Sequence, residues 1–539
     1  MGCGRGRASR EEVALDFCRA SALSLVVHRR RTAPWLWCGV IFWIYLPGCT
    51  APNGDISPPS TVLTIGFPEA GVTGAAQGLG QLISLLTLEG LTQINTSVDG
   101  RAQPRLAERW VWENDGQRLR LHLRPGVTFH DGTALTATVA VEAIERAIRR
   151  PANLALYPSI ADISSVHADG DLQVVFELSR PSAFLPEDLA LPLSIGSENL
   201  GTGAYRLIRR EPDGTELERF DGYHAGVSQI ERIVIRPSDN LRTSWSRLLR
   251  GEVDMVTDVP PEAVEFIRND DIQVISYVRS YQFLIAFNSQ TEPFNSAGVR
   301  RALNAAVNRE ALVANVLQGQ GEVATGPIWP QHWAYDSSIQ PFGFDPRGTV
   351  ALLDALGFRL LPAGNESTRP PARLRFTCLL PADFSLLERI GLEVQKQLYD
   401  VGVDVHFEVV PIQEYDVRIR EGRFQAVLVD MTSGPTLARP HVFWGEARRE
   451  GLHAFGYNNP EAVRLFEILR TSTNEATVRS AVSRLQRVLL EDPPALFLAW
   501  NERARAVRRT FSVAESNRDP LFTIWQWTEN SDREPLSTQ

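Results

Sequence analysis

The sequence predicts an α/β protein of more than one domain, and three observations carry that reading. Helical and strand-like segments alternate through the second half of the chain, the pattern of a layered α/β domain. Residues 106–194 form a separate block dense in strand and turn signals. The chain has 539 residues, whereas a single core stops growing near ~250–300 residues.

Taken in order, a strand signal at 61–67 (TVLTIGF) opens the fold and a Gly-rich segment follows it through Gly80. Trp110 and Trp112, then Leu119, Leu121 and Leu123, alternate at period two on either side of Asn114-Asp115-Gly116, which predicts a hairpin. Both tryptophans read as core of this block. Arg124-Pro125-Gly126 predicts the next turn, and Val127 and Phe129 the start of another strand. Thr136 is placed to cap a helix with Val141, Ile144 and Ile148 on one face, stopped by Pro151. Strands are expected at 172–178 and 229–235, and a helix near 242–250. The second half predicts helices at 297–318, 346–357, 384–401 and 474–490, with strands at 403–410 and 424–429 between them.

Composition narrows the function classes. With 43% hydrophobic and 22% charged residues, the chain is neither disordered, collagenous nor polytopic in a membrane. A formal charge of −9 argues against nucleic-acid binding through a broad basic surface. Lys396 is the one lysine among 55 basic residues, a bias from which no function follows. Four cysteines, Cys3, Cys18, Cys38 and Cys49, fall in the first 49 residues; only Cys378 lies in the body, so neither a disulfide framework nor a cysteine-rich zinc site is expected.

The first fifty residues read as an export address. Arg29-Arg30-Arg31 precede the apolar run 34–46, PWLWCGVIFWIYL. Such a run is too short for a helix crossing a ~30 Å hydrocarbon core and fits a secretory signal. It ends in Leu46-Pro47-Gly48-Cys49, which resembles a bacterial lipobox with Cys49 as the lipidated residue, although Pro47 is unusual there. The other reading is an N-terminal membrane anchor with Cys49 unmodified. Either places the body outside the cytoplasmic membrane, in the periplasm or at the cell surface. Removing residues 1–48, with seven Arg against Glu11, Glu12 and Asp16, takes the charge from −9 to −13.

Catalytic motifs are missing: there is no GxSxG, HExxH, GxxxxGK[ST] or CxxC, and the nine histidines lack ligand spacing. His130-Asp131-Gly132 reads as a turn rather than a general-base pair.

Six motifs in order carry a family resemblance. Pro104…Leu106-Ala107…Trp110…Asn114-Asp115-Gly116…Leu123-Arg124-Pro125-Gly126-Val127…Phe129-His130-Asp131-Gly132…Leu135-Thr136-Ala137 is followed by Gly201-Thr202-Gly203-Ala204-Tyr205 and by Leu248…Gly251-Glu252-Val253-Asp254. Phe287-Asn288, Pro293-Phe294 and Val299-Arg300-Arg301-Ala302-Leu303…Asn308-Arg309 come next, then Phe344-Asp345-Pro346 with Leu356-Gly357-Phe358. Over about residues 62–530 the chain resembles the bacterial extracellular solute-binding proteins of family 5, the peptide/nickel-type receptors of ABC importers.

The resemblance implies a two-lobed periplasmic-binding-protein-like fold (type II, cluster C) with an appended β-rich domain. The expected division is a signal at 1–48, a tether at 49–60, lobe I at 61–105, 195–282 and 499–539, the appended domain at 106–194, and lobe II at 283–498. It implies no enzyme and no cofactor. Expected instead are a monomer taking a small polar solute, oligopeptide-class or related, a membrane permease and ATPase as partners, and a lipid anchor in the membrane. A sensor on the same fold and an exported enzyme on the same scaffold are the alternatives. In peptide-binding members a lobe II loop resembling W-x-x-D-Y-x-D/E-P supplies a carboxylate to the ligand's amino group. If Pro440 is that proline, the acidic positions fall on Thr436 and Arg439, which removes one charge and inverts another. Arg439 then suits a carboxylate, phosphate or sugar acid, or else is a solvated loop charge or structural ion pair. Ser433 and Thr436 are ligand candidates or turn formers. Glu69, Tyr281, Phe283, Asn288 and Trp444 complete the candidate site, each with a packing role as the alternative; Trp329 is a further loop aromatic. Nickel binding has no histidine cluster behind it.

Overall fold

The computed structural model describes residues 61–70, 75–94, 99–324, 326–360, 371–445, 455–514 and 519–530. The signal, tether and Cys49 lie outside them. One 11-stranded sheet runs through the body in the order Val403–Val410, Leu374–Pro381, Ala426–Thr432, Ile272–Phe287, Ala495–Arg508, Met255–Val259, Val62–Ala70, Arg232–Asn240, Gly214–Arg219, Tyr205–Glu211, with Gly321–Val323 paired to Ala495–Arg508 beside this path. Its first-lobe half and its second-lobe half each carry their own apolar cores.

Two long antiparallel strands, Ile272–Phe287 and Ala495–Arg508, belong to both halves. Ile272–Val278 pair with Glu502–Arg508 beside the first-lobe strands, and Gln282–Ala286 pair with Ala495–Trp500 beside the second-lobe strands. The register shifts between Val278 and Gln282 and again between Phe283 and Leu284, so irregular pairing falls where the chain passes from one lobe to the other.

The block at 106–194 is a four-stranded antiparallel sheet, Ala107–Glu113, Arg118–Leu123, Gln173–Leu178 and Ile163–Ala168, packed on helix Ala137–Ile148 around its own core. The hairpin forms as expected, with Asn114, Asp115 and Gly116 all at positive φ. Thr136 caps the helix by accepting from the Val139 N–H at 3.3 Å. Three expectations need correcting. Val127–Leu135 is a hydrogen-bonded turn rather than a strand, because Phe129 N–H donates to Thr133 O and Leu135 N–H to Val127 O within the segment. Trp110 and Trp112 are half-buried against the core rather than in it. The helix expected at 297–318 is two, Ala297–Ala305 and Arg309–Asn315, since the Asn308 side chain caps the second by accepting from Ala311 N–H at 2.8 Å.

The family-like motifs hold the scaffold. Gly201 and Gly203 pack against the end of helix Ala75–Thr87, where an added Cβ would meet Thr87 backbone atoms at 2.1 and 2.6 Å. His130 binds the Gly203 carbonyl at 3.0 Å, and Asp254 accepts from Thr64 N–H at 2.8 Å. Arg309 is fully buried and donates to Phe497 O at 2.6 Å and to Asn304 Oδ1 at 2.7 Å.

Candidate functional site

The side chains between the two lobes form two polar groups, one at the crossing strands and one where the appended domain meets the second lobe. At the crossing, Arg503 reaches Asp258 of the first lobe at 3.0 Å and Asp430 of the second at 3.9 Å. Asn501 donates to Asp430 Oδ2 at 3.2 Å. Burial disfavours the Arg503 cation, but the Asp258 and Asp430 carboxylates outweigh it and raise its pKa. Asp258 and Asp430 both stand at or near the carboxyl ends of their strands, the edge of an open α/β sheet where ligands bind. Arg503 Nε and Asp430 Oδ1 are both buried without a hydrogen-bond partner among the described residues.

At the mouth, the loop 433–437 and helix Ala438–Trp444 face the appended domain's segments Pro151–Leu156, Pro158–Asp162 and Leu185–Asp188. Arg439 donates to the Leu156 carbonyl at 2.8 Å. Burial lowers its pKa, while Asp188, Tyr281 and Tyr157 act to keep it charged. Asp188 accepts from both the backbone N–H and the hydroxyl of Ser159, at 2.7 and 2.6 Å, yet burial still pushes its carboxyl up to about 6. Glu187, next to it, is raised well above the usual carboxylate range by burial and by Asp188, an effect that the nearby Thr436 opposes. Its side chain is half-buried, and its Oε2 is enclosed without a hydrogen-bond partner among the described residues.

Other contacts close the same face. Phe184 of the appended domain is part of the second lobe's core cluster, and Ala183 N–H donates to Arg470 O at 2.6 Å. A small cleft between them is lined by Ser159, Asp162, Arg180, His441 and Arg470 among others. From the first lobe, Asp99 O accepts from Trp333 N–H at 3.0 Å, and Arg101 stacks on the Trp333 ring at 4.1 Å with Arg479 at 5.0 Å from the same ring. Gly100, at φ +73°, comes so close to the second-lobe loop that an added Cβ would lie 2.5 Å from Pro435 O.

The structure brings Thr436 and Arg439 to the mouth, with Tyr281 within electrostatic reach of Arg439. Glu69 is exposed near the end of strand Val62–Ala70. Four candidates are taken up by the scaffold instead. Phe283 and Trp444 are core residues, 1% and 0% exposed. Asn288 donates to the Gly422 and Phe424 carbonyls, and the Ser433 hydroxyl donates to Pro327 O at 3.0 Å. Pro440 lies inside helix Ala438–Trp444, whereas Pro435 lies in the loop before it. Taking Pro435 as the motif proline moves the acidic positions to Met431 and Gly434, so neither register leaves a carboxylate there. Sequence reasoning missed Glu187, Asp188, Asp258, Asp430 and Arg503. A signal existed for most of them: each of the segments 183–193, 426–432 and 495–508 sets charge inside an otherwise apolar run.

Among the described residues no group of three or more His, Cys, Asp or Glu is arranged to hold a metal ion, and no helix is long and apolar enough to cross a membrane. The sequence profile described as "Bacterial extracellular solute-binding proteins, family 5 Middle" matches residues 101–444. A glutathione-binding protein, GsiB, from Pectobacterium atrosepticum is 27% identical over 442 residues, covering 78% of this chain and 84% of its own. Among solved structures, NikA from Brucella suis in complex with Fe(III)-EDTA superposes with a TM-score of 0.74 at 19% identity, covering 87% of this chain and 100% of that one. The oligopeptide-binding protein AppA from Bacillus subtilis, in complex with a nonapeptide, gives 0.70 at 19% identity, covering 88% and 100%. With the profile spanning well over half its length, the chain belongs to the family 5 bacterial extracellular solute-binding proteins.

Proposed function

We propose that the protein is the solute-capturing subunit of an ABC importer, closing two lobes over a small polar ligand of the oligopeptide class and delivering it to a membrane permease. The observation that carries this reading is the pair of strands, Ile272–Phe287 and Ala495–Arg508, shared by both lobes, with buried polar groups between the lobes on either side of them. A fold of that kind changes shape about a few strand residues, and a ligand shifts it toward closure by binding the closed form better. The relatives named above bind glutathione, a peptide or a metal chelate, all small and polar. Of these, a peptide-like solute fits best, because no histidine cluster stands ready for a metal among the described residues.

The division into lobe I, appended domain and lobe II at the expected boundaries belongs to the same proposal, as do an exported monomer and lipidation at Cys49. Native mass spectrometry and isothermal titration with glutathione and with short peptides test the main reading. Binding of one of these with a ligand-dependent fall in radius of gyration is the expected result. Turnover of a ligand, or no binding by any of them, would sink it. For the anchor, Cys49→Ser should release the protein from the membrane fraction and remove the lipid mass from the intact chain.

A further inference from the structure

We infer that the seam where helix Ser385–Asp400 of the second lobe meets the turns 261–267 of the first is a docking face for the importer's membrane permease, gripped through two exposed apolar side chains, Phe266 and Leu392. This rests on the reading of the protein as an import receptor and names the surface on which that receptor is read.

Helix Ser385–Asp400 has an inner and an outer face. Leu387, Ile390, Val394 and Leu398 are buried in the second-lobe core. Leu392, Lys396 and Tyr399 are exposed, and a spacing of four and then three residues places them in one stripe along the helix. Leu392 is 60% and Tyr399 52% exposed. Arg389, three residues before Leu392, crosses to Glu262 of the first lobe at 3.2 Å. Phe266 follows Glu262 by four residues through consecutive helical turns and is 79% exposed, while Val264 and Ile267 beside it are buried. The ion pair across the seam therefore has an exposed apolar side chain of each lobe close to it on its own helical surface.

Large apolar side chains grouped in water rather than scattered mark a surface that meets a partner. These two belong to different lobes, so their separation is fixed only when the lobes are closed. A partner that grips both binds the closed form better than the open one, which is the discrimination a permease needs to recognise a loaded receptor. The place also suits release. Glu262 lies three residues past strand Met255–Val259, whose Asp258 meets Arg503 between the lobes, and helix Ser385–Asp400 begins four residues past strand Leu374–Pro381. Both therefore stand at the carboxyl ends of sheet strands, the edge where solute enters and leaves. Charge narrows the occupant. On the first-lobe side Glu262, Glu265, Asp270 and Asp271 are exposed against Arg268, which repels anionic lipid headgroups. The second-lobe side, Arg389 and Lys396 against Glu388 and Asp400, is balanced and gives a second copy of the chain no cationic surplus to offer. The partner that fits is a protein surface with apolar pockets, rimmed by Arg or Lys opposite the first lobe.

Lys396 makes this face addressable. It is the one lysine of the chain, so an amine-reactive cross-linker finds a side chain here and at no other position. The test uses the full chain in the membranes of its host, with uptake of glutathione and of a tripeptide pool as probes. The cross-linker should join Lys396 to an external loop of a permease subunit, located by peptide mapping, in at least about threefold higher yield when the probes are present. Phe266→Ser and Leu392→Ser should each cut uptake roughly tenfold, the scale of an apolar anchor in an interface. Both purified variants should bind the probes and melt as the unmodified protein does, and Phe266→Leu should retain most of the uptake. Undiminished uptake in the Phe266→Ser/Leu392→Ser double variant, or links from Lys396 only to a second copy of the chain or to lipid amines, overturns the inference and leaves the import reading intact. Uptake of both probes that survives deletion of the whole chain removes the import reading and the inference with it.

Discussion

At the crossing strands the charges between the lobes are held by direct contact, whereas at the mouth they are held by enclosure. Arg503 touches Asp258 and approaches Asp430, and on the first-lobe side Arg505 pairs with Asp519 at 2.5 Å. Charge outweighs burial there, and both guanidinium pKa values are raised. At the mouth the order reverses. Burial outweighs the available charge, so Glu187 and Asp188 rise and Arg439 falls. The crossing is thus built to stay ionised in one arrangement, and the mouth is built to respond to what enters it. The covalent connectivity agrees: two continuous strands run through the crossing, while the mouth is closed only by side chains and loops that can separate.

The largest expected effect tests the crossing. Arg503→Met removes the cation that Asp258 and Asp430 share in a buried setting, and removal of one partner from such a group costs roughly 3–5 kcal/mol. Urea unfolding should show that loss in the global transition; a change below about 1 kcal/mol would mean that the two acids are hydrated and the crossing is not the rigid region. Next in size is the mouth's aromatic clasp. Trp333→Ala removes the ring that Arg101 and Arg479 both approach, a loss of about 1–2 kcal/mol. Because the ring also packs against the second-lobe core, some loss in unfolding accompanies it, and a larger radius of gyration in solution scattering is what reports on the contact between lobes. An unchanged radius of gyration would erase the distinction between the regions.

Acid should tighten the mouth of the ligand-free protein. The Asp188 carboxyl, raised to about 6, faces Ser159, Arg439, Asp162 and Tyr157; Glu187, also raised, lies beside Asp188 and near Thr436. A carboxyl whose pKa is higher in the closed form binds its proton more tightly there. The closed contact is therefore most favourable below the ordinary carboxylate range, and Asp188 weakens it as pH rises from about 4 to about 6. Scattering from the ligand-free protein should show more compact molecules at pH 5 than at pH 7.5.

The same contrast explains what the sequence could tell. Its family-like motifs sit at fixed backbone obligations: His130 on the Gly203 carbonyl, Asp254 on the Thr64 N–H, Arg309 on the Phe497 carbonyl, and Asp345 capping Pro346–Ala355 through Gly348 N–H. Such roles depend on local geometry, so they leave patterns in one chain and announce the fold. The mouth depends on tertiary enclosure. Glu187 and Asp188 lie more than two hundred residues from Thr436 and Arg439, and nothing local states that the two pairs meet. The same distance hid the employment of Asn288 and Ser433, whose carbonyl partners come from other parts of the chain. Only the apolar setting of the charged residues was readable, and it signals burial without naming a partner.

The smallest expected effect belongs to a contact that crosses the lobes without enclosure. Arg389 of helix Ser385–Asp400 meets Glu262 of the first lobe at 3.2 Å, with side chains 39% and 50% exposed. Water screens such a pair, and ordering two long side chains opposes the Coulombic gain, so exposed ion pairs contribute about 0–1 kcal/mol. Arg389→Ala should leave both the unfolding transition and the radius of gyration within error of the unmodified protein, and any residual effect should vanish by about 1 M salt, where the screening length is about 3 Å. Phe266, 79% exposed, and Leu392, 60% exposed, lie within a few residues of this pair in sequence, so the pair sits in no dry surround that could strengthen it. If Arg389→Ala opened the lobes as far as Trp333→Ala does, enclosure would not be what gives the mouth its hold, and simple bridging between lobes would suffice.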